Sequence, residues 1–333
     1  MKEKISIIGA GSWGTTLGVV LAKKGIDIEL YSVSREHNLK MQKERENKIF
    51  LKGVKFPPRL KINHFLNGTL ENNIIVIAIP VRFLRKVIRK IKRSGCTLKN
   101  KIFVSVAKGI ELKSLKRPSQ IIEEELGKVS LVVLSGPTIA KEVLRGIPTT
   151  CVIASKNNFI AKRLQTILST YKFRVYLHND VVGVELGGAL KNIIAIACGI
   201  SDGLGFGSNT KAALVTRGLV EISRLGKRLG ANPATFWGIS GLGDLATTCF
   251  SPYSRNRSVG EQIGKGKKLK NIIRNMIMVA EGIETAKSVY LLGKKLTLDM
   301  PITKEVYAVL YKNKSPKNAV GDLMRRPLKT EEI

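Results

Sequence analysis

The stretch Lys4-Ile5-Ser6-Ile7-Ile8-Gly9-Ala10-Gly11-Ser12-Trp13-Gly14 decides the fold. Lys4 to Ile8 reads as a strand, Thr15 to Lys24 as an amphipathic helix closed by Gly25, and Asp27 to Tyr31 as a second strand, a βαβ opening. Between the first strand and the helix stands G-x-G-x-x-G, formed by Gly9, Gly11 and Gly14. Glycines there permit a tight turn and a close backbone approach to a pyrophosphate, and the helix N-terminus adds amide donors and a positive dipole. The motif alone is weak, but in strand-turn-helix context it predicts a dinucleotide-binding domain.

Outward from that stretch, strand-like runs continue at Ile74 to Ile79, Ile102 to Val106, Leu131 to Leu134, Thr150 to Ile153 and Arg174 to Leu177. Several are nearly continuous Ile, Val and Leu, as strands buried on both faces are. After about Asp180 the strand runs stop, and helical periodicity with small residues continues to the end. The reading is an α/β doubly wound domain over 1–180 and an all-α domain over 181–333, with the site expected in the cleft between them, beyond the carboxyl ends of presumed parallel strands. No internal repeat or low-complexity linker interrupts it.

The chain of 333 residues, 44% of them hydrophobic, is long enough for two cores. Its 57 Lys and Arg against 25 Asp and Glu leave a net charge of +32. That sign suits nucleic acid, an anionic membrane or small phosphorylated ligands. The basic residues, for example Lys86 to Lys92, Lys113 to Arg117 and Lys265 to Lys270, are dispersed without aromatic interleaving or a basic tail. They read as a solvated surface and not as a nucleic-acid footprint. Cys96, Cys151, Cys198 and Cys249 are widely spaced with no C-x-x-C pair, which argues against a disulfide framework or a zinc site. The first apolar run is too short for a signal sequence, and no uninterrupted stretch of about 18 apolar residues occurs. The expectation is a soluble cytoplasmic protein without a membrane span, a metal or a nucleic-acid partner.

Cofactor choice should be read after the second strand, at Tyr31-Ser32-Val33-Ser34-Arg35. No carboxylate stands there to grip a ribose 2′-hydroxyl, and Arg35 with Ser34 suits a 2′-phosphate, which favours NADPH; Arg35 as a solvated loop residue is the alternative. In Gly183 to Ala197, Lys191 lies among small and apolar residues, on one helical face with Ala195 and Gly199 and close to Glu185, Gly188 and Asn192. Burial would lower its pKa toward that of a general base for an alcohol, although a structural lysine fits the composition equally. Ser240 to Cys249 reads as a glycine-flexed loop presenting Asp244 and Thr248. Ser254-Arg255-Asn256 follows, a guanidinium between two hydrogen-bonding side chains that suits a phosphate monoester or else a solvated turn. Lys108-Gly109 and Ser135-Gly136-Pro137-Thr138-Ile139-Ala140 end two strands where such sheets bind ligands. His178 reads as a polar turn residue.

Together these segments resemble the NAD(P)-dependent glycerol-3-phosphate dehydrogenase family along the whole chain. The matching blocks are Gly9 to Gly14, Leu134 to Thr138, Leu190 to Ile193, Asp202 to Gly205, Ala212 to Leu219, Gly241 to Leu245, Ser254 to Asn256 and Val279 to Gly282. The resemblance implies a Rossmann-like domain plus an all-α domain of the 6-phosphogluconate dehydrogenase-like kind. It implies hydride transfer between NADPH or NADH and dihydroxyacetone phosphate, giving sn-glycerol 3-phosphate for phospholipid synthesis, without a metal, in a homodimer. Lys191 would be the general base. Lys108, Gly136, Thr138, Asn192, Asp244, Thr248, Ser254, Arg255 and Asn256 would line the substrate site. Besides Gly9, Gly11, Gly14 and Arg35, the cofactor would meet Ser12, Trp13, Lys108, Ala140, Arg255, Val279 and Glu281. Two departures stand out: Tyr31, Val33 and Ser34 replace the family's Trp-ended strand and the basic residues after it, and Ile139 replaces an aromatic residue. The first leaves NADPH against NADH open.

Two rival readings remain at this stage. One is a dehydrogenase of a hydroxy acid or hydroxyacyl thioester; the other is a nucleotide-sensing protein that grips nucleic acid through its positive charge.

Overall fold

The computed structural model describes residues 3–328 together with Thr330 and Glu331. It divides into two compact units, 1–107 with 118–181, and 108–117 with 182–333. The segment Lys108 to Arg117, which the sequence reading left with the strands, packs in the second unit.

The first unit is built on eight strands: β1 (Lys4–Ile8), β2 (Asp27–Tyr31), β3 (Leu60–Ile62), β4 (Ile74–Ile77), β5 (Ile102–Ser105), β6 (Ser130–Ser135), β7 (Thr149–Ala154) and β8 (Phe173–His178). Their order in the sheet is β3-β2-β1-β4-β5-β6-β7-β8. Alternating side chains serve two cores: Ile5, Ile7, Ile74, Val76, Ile102 and Val104 pack on one side, and Ile8, Ile75, Ile77 and Phe103 on the other. This double burial makes the runs continuous instead of alternating. The three-residue β3 escaped the sequence reading because Leu60-Lys61-Ile62 is too short to show a period.

One expectation needs correction. β7 pairs antiparallel with β6, while β8 is parallel to β7, so the last two strands oppose the other six. The connection from β6 folds only the short helix Ala140–Leu144 before Gly146 turns the chain with φ of 70°. A hydrophobic run carries no direction, and a parallel return needs a full crossover, which the Asn158–Leu168 helix supplies only between β7 and β8. Ser135-Gly136 still ends a strand parallel to β5.

In the second unit the helix Val181–Gly203 is buried along nearly its whole length. Helices Ser208–Arg228, Arg255–Gly264, Glu281–Lys295 and Pro301–Tyr311 contribute to the same apolar cluster. By length and composition the central helix could span a membrane, yet 89% of its most apolar window is buried inside the protein. Glu185, Lys191 and Asn192 interrupt its apolar run in the sequence.

Glycines bring the neighbouring elements to backbone contact. A Cβ on Gly199 would lie 2.0 Å from Arg257 O, and one on Gly260 would lie 2.1 Å from Ile196 O. The same is true on the other side of the central helix, where a Cβ on Gly187 would lie 2.6 Å from Ser240 O.

Candidate active site

At the end of β1 the chain turns at Gly9, whose φ of 119° favours glycine, and the helix Ser12–Lys23 begins. A Cβ at Gly9 would stand 2.3 Å from Ala78 O, and one at Gly14 would stand 2.0 Å from Gly9 O. Gly11 faces open space with nothing within 4 Å of a Cβ. Two glycines therefore let the loop pack against the sheet, and the third leaves a cradle at a helix N-terminus, where a pyrophosphate fits. Beside it Trp13 packs on Phe173 at 6.2 Å between centroids, and its buried Nε1 has no partner among the described residues. Arg35 is exposed at the first turn of the helix Arg35–Glu44, which Ser34 caps by accepting from His37 N. Gly136 has φ of 136°, Thr138 Oγ1 donates to Gly136 O at 3.1 Å, and Ala140 starts the short helix after β6.

The second unit assembles most of the polar candidates. Ser240 to Cys249 is not the flexible loop expected from its glycines. Ile239–Gly243 is a π-helical turn running directly into the helix Asp244–Phe250. Gly241 serves close packing: a Cβ there would meet Phe236 O at 2.1 Å. Such a bulge re-aims the residue that follows it. Here that residue is Asp244, 1% exposed, with its carboxylate on Lys191.

Lys191 is 7% exposed, and its Nζ donates to Asp244 Oδ1 and, at 2.8 Å, to Thr248 Oγ1. Lys108 Nζ donates to Asp244 Oδ2 at 2.7 Å. Thr248 Oγ1 donates to Asp244 O at 2.6 Å, so the hydroxyl hydrogen is committed and its lone pair faces the ammonium. Burial pushes the Lys191 ammonium down to about 8, opposed by the Asp244 charge and assisted by the like charge of Lys108. An amine in this range exchanges a proton with an alcohol oxygen near neutral pH.

Asn192, next on the helix, donates to Lys108 O at 3.3 Å and accepts from Asn256 Nδ2 at 2.9 Å. Asn256 Oδ1 accepts from Gly282 N at 3.0 Å, so its amide ties three segments together. Ser254 caps the helix Arg255–Gly264 by accepting from Arg257 N at 3.2 Å. Arg255 is exposed and donates to Val279 O at 2.7 Å, two residues before Glu281 opens the next helix. Lys108, Lys191, Asn192, Asp244, Thr248 and Asn256 thus form one connected network, with Arg255 and Val279 joined by their own bond.

His178, expected as a polar turn residue, is instead the last residue of β8, paired with Ala154, and its Nδ1 accepts from Asp180 N at 3.0 Å. No group of three or more His, Cys, Asp and Glu able to hold a metal occurs among the described residues. The sequence reading passed over Asn47, which bonds to the glycine turn from a polar stretch that shows no period or motif.

Comparison with known proteins bears on this arrangement. The model of the NAD-dependent glycerol-3-phosphate dehydrogenase N-terminus matches residues 4–161, and that of its C-terminus matches residues 180–321. The chain belongs to this family. It is 48% identical over 337 residues to glycerol-3-phosphate dehydrogenase [NAD(P)+] of Citrifermentans bemidjiense, covering 100% of both chains. The corresponding enzyme of Prosthecochloris aestuarii is 50% identical over 331 residues, 98% of this chain and 99% of the relative. Among solved structures, the glycerol-3-phosphate dehydrogenase of Coxiella burnetii superposes with a TM-score of 0.94 at 39% identity, covering 98% of this chain and 99% of that one. The glycine cradle lies within the N-terminal family match, and the Lys191 network, Lys108 excepted, within the C-terminal one.

Proposed function

We propose that the chain is an NAD(P)-dependent sn-glycerol-3-phosphate dehydrogenase that interconverts dihydroxyacetone phosphate and sn-glycerol 3-phosphate, supplying the backbone of glycerophospholipids. The observation that carries the reading is the buried Lys191 held between Asp244 and Thr248, its pKa brought down to about 8. Family membership and the glycine cradle support the cofactor.

A bound nicotinamide would supply or accept the hydride of this interconversion. Lys191 takes the C2 hydroxyl proton during oxidation and returns it to the carbonyl oxygen during reduction. Asp244 and Thr248 hold its Nζ in place, and Lys108 adds positive charge where an alkoxide develops. Asn192 and Asn256 line the pocket, with Gly136, Thr138 and Ser254 contributing to it. Arg255 grips the phosphate, which fixes the reacting carbon at a distance from the binding group. Ser12, Trp13, Ala140, Val279, Glu281 and Arg35 hold the dinucleotide. A homodimer working in the cytoplasm completes the proposal, in keeping with the family.

The test follows the absorbance of NADPH and of NADH in parallel, with purified protein and dihydroxyacetone phosphate. Substrate-dependent oxidation is expected, and the faster reaction settles cofactor preference. A protein that binds NADPH yet oxidises it with a hydroxy-acid precursor and not with dihydroxyacetone phosphate would overturn the substrate assignment.

A further inference from the structure

Behind the glycine turn lies a row of buried polar side chains that the reaction does not use. Asn47 is 0% exposed, and its amide makes four hydrogen bonds. Nδ2 donates to Ala10 O and to Thr15 Oγ1, each at 2.8 Å. Oδ1 meets His37 Nε2 at 3.0 Å and accepts from Phe50 N at 3.2 Å. An Asn side chain has two donors and two acceptor sites, so every one is used.

These partners orient the rest of the row. Phe50 N marks Asn47 Oδ1 as the acceptor, so His37 carries its proton on Nε2, and Nδ1 accepts from the Ser32 hydroxyl at 3.2 Å. Asn38, also 0% exposed, clasps the backbone of Ser32, accepting from its N and donating to its O at 2.8 Å each. The row therefore runs from Ala10, inside the G-x-G-x-x-G turn, to Ser32, directly after β2. Those are the two places where a dinucleotide's pyrophosphate and its adenosine ribose are held in such a fold.

We propose that Asn47 is a positioning residue for the cofactor: through Ala10 O and Thr15 it holds the glycine turn, and through His37 and Ser32 it holds that turn in register with the loop that reads the ribose. Buried, fully satisfied polar rows of this kind specify one geometry, because each broken bond leaves a dry donor or acceptor. The dinucleotide touches both ends of the row, so Asn47 governs affinity for NADH and NADPH alike. Selection between them is left to the exposed Val33, Ser34 and Arg35. This inference rests on the cofactor reading of the glycine turn.

The test is calorimetric titration of the full chain with NADPH and with NADH, for the parent, Asn47→Ala, Asn47→Asp and Ser32→Ala, each checked for folding by circular dichroism. Asn47→Ala should weaken both cofactors about ten- to hundredfold. The KM for dihydroxyacetone phosphate at saturating cofactor should stay within about twofold of the parent. Asn47→Asp keeps the shape but offers Ala10 O no donor, so it should weaken binding as much as Asn47→Ala; restoration of parent affinity by the isosteric Asp would show a packing role and overturn the proposal. If Asn47→Ala does not fold, Ser32→Ala decides, since it removes the hydroxyl that is given to His37 and that accepts from Ser34 N at 3.3 Å; several-fold weaker binding of both cofactors is expected, and unchanged binding overturns the proposal. A parent that binds neither dinucleotide removes the cofactor reading and this inference together, whereas a parent that binds both while the variants match it removes this inference alone.

Discussion

Lys108 Nζ lies 2.7 Å from Asp244 Oδ2, on the same carboxylate whose other oxygen holds Lys191. One buried anion thus serves two cations, and the like charge of Lys108 joins burial in holding the Lys191 ammonium down to about 8. The sign of the pH dependence follows. On the role proposed for Lys191, oxidation of glycerol 3-phosphate needs its neutral amine, so kcat/KM should rise with pH and level off above about 8. Reduction of dihydroxyacetone phosphate needs the ammonium, so it should fall above the same point. Lys108→Met removes a repelling charge and should move both limbs to higher pH. A pH–rate profile that does not move with Lys108→Met would refute this role.

Lys191→Ala should lower kcat by about 10²- to 10⁴-fold, the range of a positioned acid–base group. Affinity for NADPH should stay within about twofold, because the glycine cradle lies in the other unit. Steady-state kinetics beside calorimetry separates the two, and near-parent kcat would remove Lys191 from its role.

Arg255→Leu should raise the KM for dihydroxyacetone phosphate about ten- to hundredfold, the effect of losing a charge-assisted bond to phosphate. Kinetics with dihydroxyacetone, which keeps the C2 carbonyl and lacks the phosphate, gives the control: its turnover should be nearly indifferent to the change. Equal loss with both substrates would place Arg255 elsewhere.

Gly199→Ala should separate two helices, since the new methyl would lie 2.0 Å from Arg257 O. Overpacking of this kind costs about 1–3 kcal/mol. The displaced helix starts at Arg255 and Asn256, so substrate KM should rise together with the fall in denaturation midpoint. A stable variant with parent KM would show that the helices part without moving the turn.

Glu221→Ala tests stability away from the site. Its buried carboxylate accepts from Ile302 N at 2.5 Å and from Thr303 N and Oγ1 at 3.1 and 3.0 Å, capping the helix Pro301–Tyr311. Leaving those donors dry should cost about 2 kcal/mol in urea unfolding, with kcat unchanged. Loss of less than about 0.5 kcal/mol would mean that water replaces the carboxylate.

Much of the site could be read locally because its chemistry is anomalous where it stands. A lysine inside Leu190 to Ala197 contradicts its apolar surroundings, and three glycines at 9, 11 and 14 between a strand and a helix form a recognisable turn motif. Where residues obeyed their local pattern, the sequence said less. Asn256 reads as one hydrogen-bonding side chain of the Ser254-Arg255-Asn256 turn, and only packing shows its amide joined to Asn192 and Gly282. Gly241 and Gly243 read as loop flexibility, whereas they lie in a π-helical turn in which Gly241 packs on the Phe236 backbone.

By itself, the sequence determined the order of α/β strands and later helices, the glycine cradle and the unusual lysine, because period, propensity and polarity act over a few residues. The tertiary structure alone decided that β7 runs against β6, that Lys108 packs with the helical unit, that one Asp244 carboxylate joins two lysines, and that Asn47 braces the glycine turn. Each of these depends on groups distant in the chain meeting at hydrogen-bond distance. Such meetings are settled by how whole elements pack, which no short window of residues encodes.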